Sequence, residues 1–190
     1  MRALVLWLVL ALPAAGFEND YAALFAAHAD KVLETQPGIR QLELPGPILV
    51  EERRRADGSV AYSGTDLSGQ TAAGCGMGLL IDLVVLTGSC PDMITAAERA
   101  VLEAALLDVA GFVGANAFPP VPQDDVRPRL VALIQARKSR LDIEGMACDP
   151  GDSGQQDAAE IARNLARPGG QASIAQMISL PRLPVENDCL

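Results

Sequence analysis

Histidine is almost missing from this chain, with one residue, His28, in 190. Imidazole is the side chain whose unperturbed titration falls near neutrality, so a general-base site has a single obvious candidate. Aromatic residues are also scarce, at 4%, which removes the stacking platforms that single-stranded nucleic acid requires. Positive charge is in deficit: 15 Lys and Arg stand against 24 Asp and Glu, a formal charge of −9. That balance excludes nucleic acid or an anionic lipid surface as the expected partner. The two basic clusters, Arg53-Arg54-Arg55 and Arg137-Lys138-Ser139-Arg140, are short and have no aromatics between them. They read as a strand end and a helix C-terminus. No Cys-X-X-Cys occurs, and His28 is remote in sequence from all four cysteines. No metal or other cofactor is therefore expected.

What is present begins with a leader. Met1 and Arg2 precede the run ALVLWLVLAL and then Pro-Ala-Ala-Gly, the charged, apolar and small-residue regions of a secretory signal. The run is too short to span a bilayer comfortably, and no later segment has the charge-free length of a span. Ala14 and Gly16 occupy the small-residue positions of a cut before Phe17, with a cut at Ala15 as the alternative. The expected organisation is a signal over 1–16 and one exported domain over 17–190. The short, Leu-rich leader and the absence of any Asn-X-Ser/Thr sequon favour a bacterial periplasm. Cutting removes one Arg and no acid, so 15 against 24 becomes 14 against 24, or −10.

In an oxidising compartment the four cysteines predict two disulfides. The expected pairs are Cys75 with Cys90, tying the ends of the apolar run between them, and Cys148 with Cys189, fastening the chain end. That run, CGMGLLIDLVVLTGSC, is long and β-branched enough to predict a strand buried on both faces. After Pro91, Thr95-Ala-Ala-Glu98 has capping-box spacing and predicts a helix to about Asn116. Its stripe is Val101, Leu102, Ala105, Leu106, Val109, Phe112 and Val113, with Leu107 opposite, so more than one face should be covered.

Around this centre the periodicity predicts a first helix over 19–34, stopped by Pro37-Gly38, and strands over 39–44 and 48–54. Asp57-Gly58 predicts a hairpin into Ser59–Ser63, followed by a loop over 64–74. A helix opens at Asp124-Asp125 with Leu130, Leu133, Ile134 and Leu141 inward, acid at its start and base at its end, as the dipole favours. Another runs over about 154–167 and stops at Gly169-Gly170. The segment beyond Ala172 suits either a short helix or an edge strand. The fold class is α+β: a small antiparallel sheet, formed of a hairpin and a central buried strand, packed by about four helices and stapled by disulfides.

Two fragments resemble the trypsin-like serine proteases: the cysteine-bounded run Cys75–Cys90, and Gly151-Asp152-Ser153-Gly154, which matches the start of that family's nucleophile motif. The resemblance implies Ser153 as a nucleophile. The chain departs from the pattern in three ways: Ser89 stands where the base belongs, Gln155-Gln156 replaces Gly-Pro, and helices fill a spacing about half that of the family.

Three residues are candidates for chemistry. Ser153 is one, although Ser153-Gly-Gln-Gln156 also has capping-box spacing, which gives the hydroxyl a structural role. His28 lies on the apolar side of the first helix, where a packed imidazole is the ordinary reading. Asp82 interrupts the apolar run, so it should meet an Arg, accept backbone N–H bonds or face a cleft. Glu51 and Glu52 are adjacent on a strand and point to opposite faces, so they do not cooperate. The expected function is a non-enzymatic domain that binds a protein or small ligand, with a hydrolase using Ser153 or Asp82 as the alternative.

Overall fold

A computed structural model describes residues 16–143 and 148–186. The described chain is mixed α+β, with a four-stranded antiparallel sheet and six α-helices. The first helix, α1 (Tyr21–Ala27), is much shorter than its periodicity suggested; it is capped by Asp20, whose Oδ1 accepts the Ala23 N–H at 2.9 Å. A 3₁₀ turn over Ala29–Lys31 leads into β1 (Leu33–Gln36). Pro37-Gly38, expected to stop a helix, instead turns a hairpin, with Gly38 at φ 77°. Positive φ suits glycine because no Cβ opposes it.

The strands β2 (Ile39–Leu44), β3 (Ile48–Arg54) and β4 (Val60–Asp66) complete a meander in the order β1-β2-β3-β4. Asp57-Gly58 makes the last hairpin as expected, with Asp57 Oδ1 accepting the Ser59 N–H at 2.9 Å. Ladder register puts Arg40 and Leu42, Val50 and Glu52, Tyr62 and Gly64 on one face. That face meets Leu24 and Phe25 of α1 and forms a core with Leu42, Ile48 and Val50.

The second core belongs to helices α2 (Ala73–Ser89), α3 (Ala96–Asn116), α4 (Gln123–Ile143), α5 (Ser153–Ala166) and α6 (Pro168–Met177). The expected central strand over 75–90 is therefore wrong: those residues are α2. An apolar run has no period that separates a buried strand from a buried helix, and its length, well beyond that of ordinary strands, was the better guide. Packing against α3, α4 and α5 overrides the low helix propensity of Gly74, Gly76, Gly78 and Gly88. Gly76 has a specific use, since a Cβ there would collide with the Met177 thioether.

The capping box of α3 forms as expected: Glu98 N–H donates to Thr95 Oγ1 at 3.2 Å and Thr95 N–H to Glu98 Oε2 at 2.8 Å. Leu102, Ala105, Leu106, Val109 and Val113 are buried, whereas Leu107 is exposed, so that face is not covered. Gly169-Gly170, expected to stop the preceding helix, lie inside α6 instead: α5 ends at Ala166 and Pro168 is the first residue of α6. Pro is tolerated there because an N-terminal N–H lacks a helical partner anyway. This settles the segment beyond Ala172 as helix up to Met177.

The disulfide pairing also differs from the expected one. Cys90 is bonded to Cys148, with Cα atoms 5.6 Å apart and a sequence separation of 58, so it is not tied to Cys75. The bond fastens the end of α2 to the segment before α5, and cross-linking a loop of that size contributes about 4 kcal/mol in the chain-entropy account. Cys75 is also in a disulfide, while Cys189 lies outside the described residues. Once α2 is a helix, Cys75 and Cys90 fall at opposite ends of a 17-residue element, roughly 22 Å apart at 1.5 Å per residue. No bond spans that distance.

Candidate functional site

Two extended segments join the sheet half to the helical half. The N-terminal one buries Phe17 in the helical core, while Leu24 and Phe25 further along belong to the sheet core. Asn19 holds it at the junction. Its Nδ2 donates to the Pro184 carbonyl at 2.6 Å, and its Oδ1 accepts the Phe118 N–H at 2.9 Å. Asp20 N–H adds a bond to the Phe118 carbonyl at 2.6 Å. The C-terminal segment, 181–186, buries Leu183 and Val185 against the sheet. Gly64 of β4 and Gly74 of α2 let it approach, because a Cβ on either would strike Val185.

Arg182 anchors this strap. Its Nε donates to Asp66 Oδ2 at 2.6 Å and its Nη2 to the Thr71 carbonyl at 3.2 Å. Both side chains are almost fully enclosed, at 1% and 2% exposure. Burial pushes the Asp66 carboxyl up, but the bonds from Ser68 and Arg182 outweigh it and hold the group below the ordinary range. The sheet face carries a second pair. Glu52, buried, accepts both Nε and Nη2 of Arg40 and takes the Tyr62 hydroxyl at 3.2 Å. The Arg40 hydrogen bond is the main reason its carboxyl also titrates low. Arg40 in turn lies 5.5 Å over the Phe25 ring.

Where the segments meet β4, α2, α3 and α4 there is a cavity of about 490 Å³. Phe17, Met77, Val113 and Leu133 supply apolar wall; Tyr21, Tyr62, Glu18 and Glu186 supply the polar part. The two tyrosine rings stack at 5.9 Å between centroids. Burial raises the Tyr21 hydroxyl, with the Glu186 charge adding to it, and burial followed by the Glu52 charge raises Tyr62. Both phenols therefore stay protonated far above neutrality.

A second cavity, of about 480 Å³, lies beside Cys90–Cys148. Two of its polar side chains are engaged with backbone: Gln156 donates to the Pro150 carbonyl at 2.7 Å and Arg163 to the Met93 carbonyl at 2.8 Å. Asp149 accepts the Gly151 N–H at 2.8 Å. These groups hold a loop in place.

None of Ser153, Asp82 and His28 lines either cavity. His28 is the C-cap of α1 in the sheet half, its backbone N–H on the Leu24 carbonyl at 3.1 Å. Asp82 is exposed on α2 and meets an Arg: Arg137 Nε reaches its Oδ1 at 2.6 Å and Nη2 its Oδ2 at 3.2 Å. Ser153 is exposed in the first turn of α5, but the capping role assigned to it falls to Asp152, whose Oδ1 accepts the Gln155 N–H at 2.8 Å. Glu51 is on the outer sheet face with Gln41 and Arg53, opposite Glu52. Among the described residues no group of His, Cys, Asp or Glu is placed to hold a metal, and no helix is long and apolar enough to cross a membrane. The cavity residues Glu18, Asn19 and Glu186 had no sequence signal, since they come together only through the two joining segments. No protein-family model, no curated protein and no solved structure matches the chain.

Proposed function

We propose that the chain is an exported binding domain and that the cavity between its two halves is the ligand site. The observation that carries this reading is the cavity itself. It is concave, lined by apolar and polar surface in nearly equal measure, and set at the meeting of two cores, the kind of junction at which small-molecule sites concentrate. Export rests on the leader sequence, and a Cys90–Cys148 disulfide is compatible with it. The hydrolase alternative needs a base beside the serine, because an unactivated hydroxyl is a weak nucleophile. Ser153 and His28 belong to different halves of the molecule.

A fluorophosphonate probe distinguishes the two. The folded chain is expected to remain unlabelled under conditions in which a serine hydrolase labels fully. Stoichiometric modification at Ser153 that disappears in His28→Ala would establish the hydrolase and remove the binding reading.

A further inference from the structure

We infer that the cavity between the halves takes an uncharged aromatic molecule, a ring carrying at most a neutral group such as a hydroxyl. The inference rests on the binding-domain reading and adds the ligand's chemical class. Its first support is that polar groups of the lining are engaged within the chain. Asn19 holds the Pro184 carbonyl and the Phe118 N–H, and its side chain also bonds the Tyr21 hydroxyl. The Tyr62 hydroxyl donates to Glu52 at 3.2 Å, and the Glu186 charge acts on Tyr21. A strongly polar ligand would exchange its water for groups already bonded elsewhere, and that exchange is unfavourable.

The second support is charge. Among the described lining residues there is no Lys, Arg or His, so a carboxylate or phosphate entering the cavity meets no counter-ion. Glu18 and Glu186 are exposed residues, where water and salt screen their charge, so an ammonium ion gains little there for the hydration it loses. A neutral ligand meets neither cost. The third support is the concentration of aromatic residues. The chain has one Trp, two Tyr and four Phe, and Phe17 and both tyrosines line this one cavity. Met77 shares the lining, and a thioether makes favourable contacts with ring edges. Offset and edge-to-face contacts stabilise an aromatic ring beyond the area it buries. Val113 and Leu133 complete the apolar wall.

Four probes of similar size separate these terms: 2-phenylethanol, 2-cyclohexylethanol, 2-phenylethylamine and phenylacetate. Calorimetric titration of the full chain is expected to give 2-phenylethanol the lowest Kd. The cyclohexyl alcohol should bind about threefold more weakly, because it lacks the ring contacts. The amine should bind about tenfold more weakly, because it enters with a charge to desolvate. Phenylacetate should show no saturable binding. The heat-capacity change for 2-phenylethanol should be negative, as burial of apolar surface requires. Leu133→Ala, checked for unchanged circular dichroism, should raise the Kd of 2-phenylethanol about tenfold by removing part of the apolar wall. Equal or tighter binding of the amine, the acid or the cyclohexyl alcohol overturns the uncharged aromatic ligand while leaving a ligand site, and so does a heat-capacity change that is not negative. Binding undiminished by Leu133→Ala lies outside the cavity and overturns the proposal. If none of the four saturates at millimolar concentration, the cavity is not a ligand site and the binding reading fails with it.

Discussion

The two halves of the molecule handle charge in opposite ways. The helical core is built from apolar side chains, and the one buried polar residue there among the described residues, Thr87, donates its hydroxyl to the Leu83 carbonyl of its own helix at 2.7 Å. Among the described residues, the three buried charged side chains, Glu52, Asp66 and Arg182, all belong to the sheet half. The difference follows from geometry. Five helices packed together enclose a large apolar volume and satisfy their backbone internally. A four-stranded meander with one covered face encloses little, so its stability depends on whatever closes that face. Here the closure is α1 and the C-terminal strap, and a buried ion pair fixes the strap in register.

The comparison is broken most severely by placing one charge in each core. Val109 and Val50 are both fully buried, at 0% exposure. An unpaired carboxylate at either costs several kcal/mol, comparable with a whole domain's stability. Val109→Asp is expected to abolish cooperative folding of both halves, since the small sheet core cannot stand alone. Val50→Asp should remove the sheet while much of the helical circular dichroism remains. If Val50→Asp erases the helical signal as completely as Val109→Asp does, the two cores are one cooperative unit and the contrast is false.

A smaller effect comes from the strap. Arg182→Met leaves Asp66 enclosed without its partner, and breaking a buried pair on one side costs about 3–5 kcal/mol. The urea midpoint should fall accordingly, and Asp66→Leu in the same chain should recover part of the loss. Acid reaches the same groups without mutation. Asp66 and Glu52 both titrate below their ordinary values in the folded chain. Their stabilisation is therefore complete above the unfolded carboxylate range near pH 4 and is lost as pH falls through the lowered folded values. Tyrosine emission, reporting on the sheet half, should change before helical dichroism does on acid titration. Simultaneous loss of the two signals would sink the assignment.

Legibility in the sequence divides along the same line, though not in the direction core size suggests. Part of the sheet was readable, because β2, β3 and the Asp57-Gly58 turn are local patterns whose residues pair with near neighbours, whereas the start of β1 was read as the end of the first helix. The Thr95–Glu98 box was readable for the same reason. What failed was the residue set whose state depends on distant packing. The run after Cys75 has no period to distinguish strand from helix until α3, α4 and α5 surround it. Gly169-Gly170 read as a stop because a glycine pair normally ends a helix, yet Pro168 immediately ahead is a favoured first residue for a new one. Ser153 and Asp152 are both good caps one residue apart, and the choice falls on Asp152, whose charge also suits the helix N-terminus. The cavity was not readable at all, since its walls come from segments far apart in sequence.

The smallest expected effect sharpens the contrast between the halves most directly, because it repeats the chemistry of Asp66–Arg182 at the surface. Asp82 and Arg137 form a two-bond pair between α2 and α4, at 2.6 and 3.2 Å. Their geometry is as good as that of the buried pair. The difference is solvent: the side chains are 51% and 37% exposed. Water around them screens the attraction and rehydrates whichever partner is left when the other is removed, so neither desolvation nor an orphaned charge enters. Asp82→Asn is therefore expected to cost less than about 1 kcal/mol, and the cost should shrink further in 1 M salt, where the screening length falls to about 3 Å. Equilibrium urea unfolding at low and high salt measures both. A loss of 3 kcal/mol or more, the scale of a broken buried pair, would mean that Asp82 supports the helical core in a way its exposure does not account for. The helical half would then depend on charge as the sheet half does.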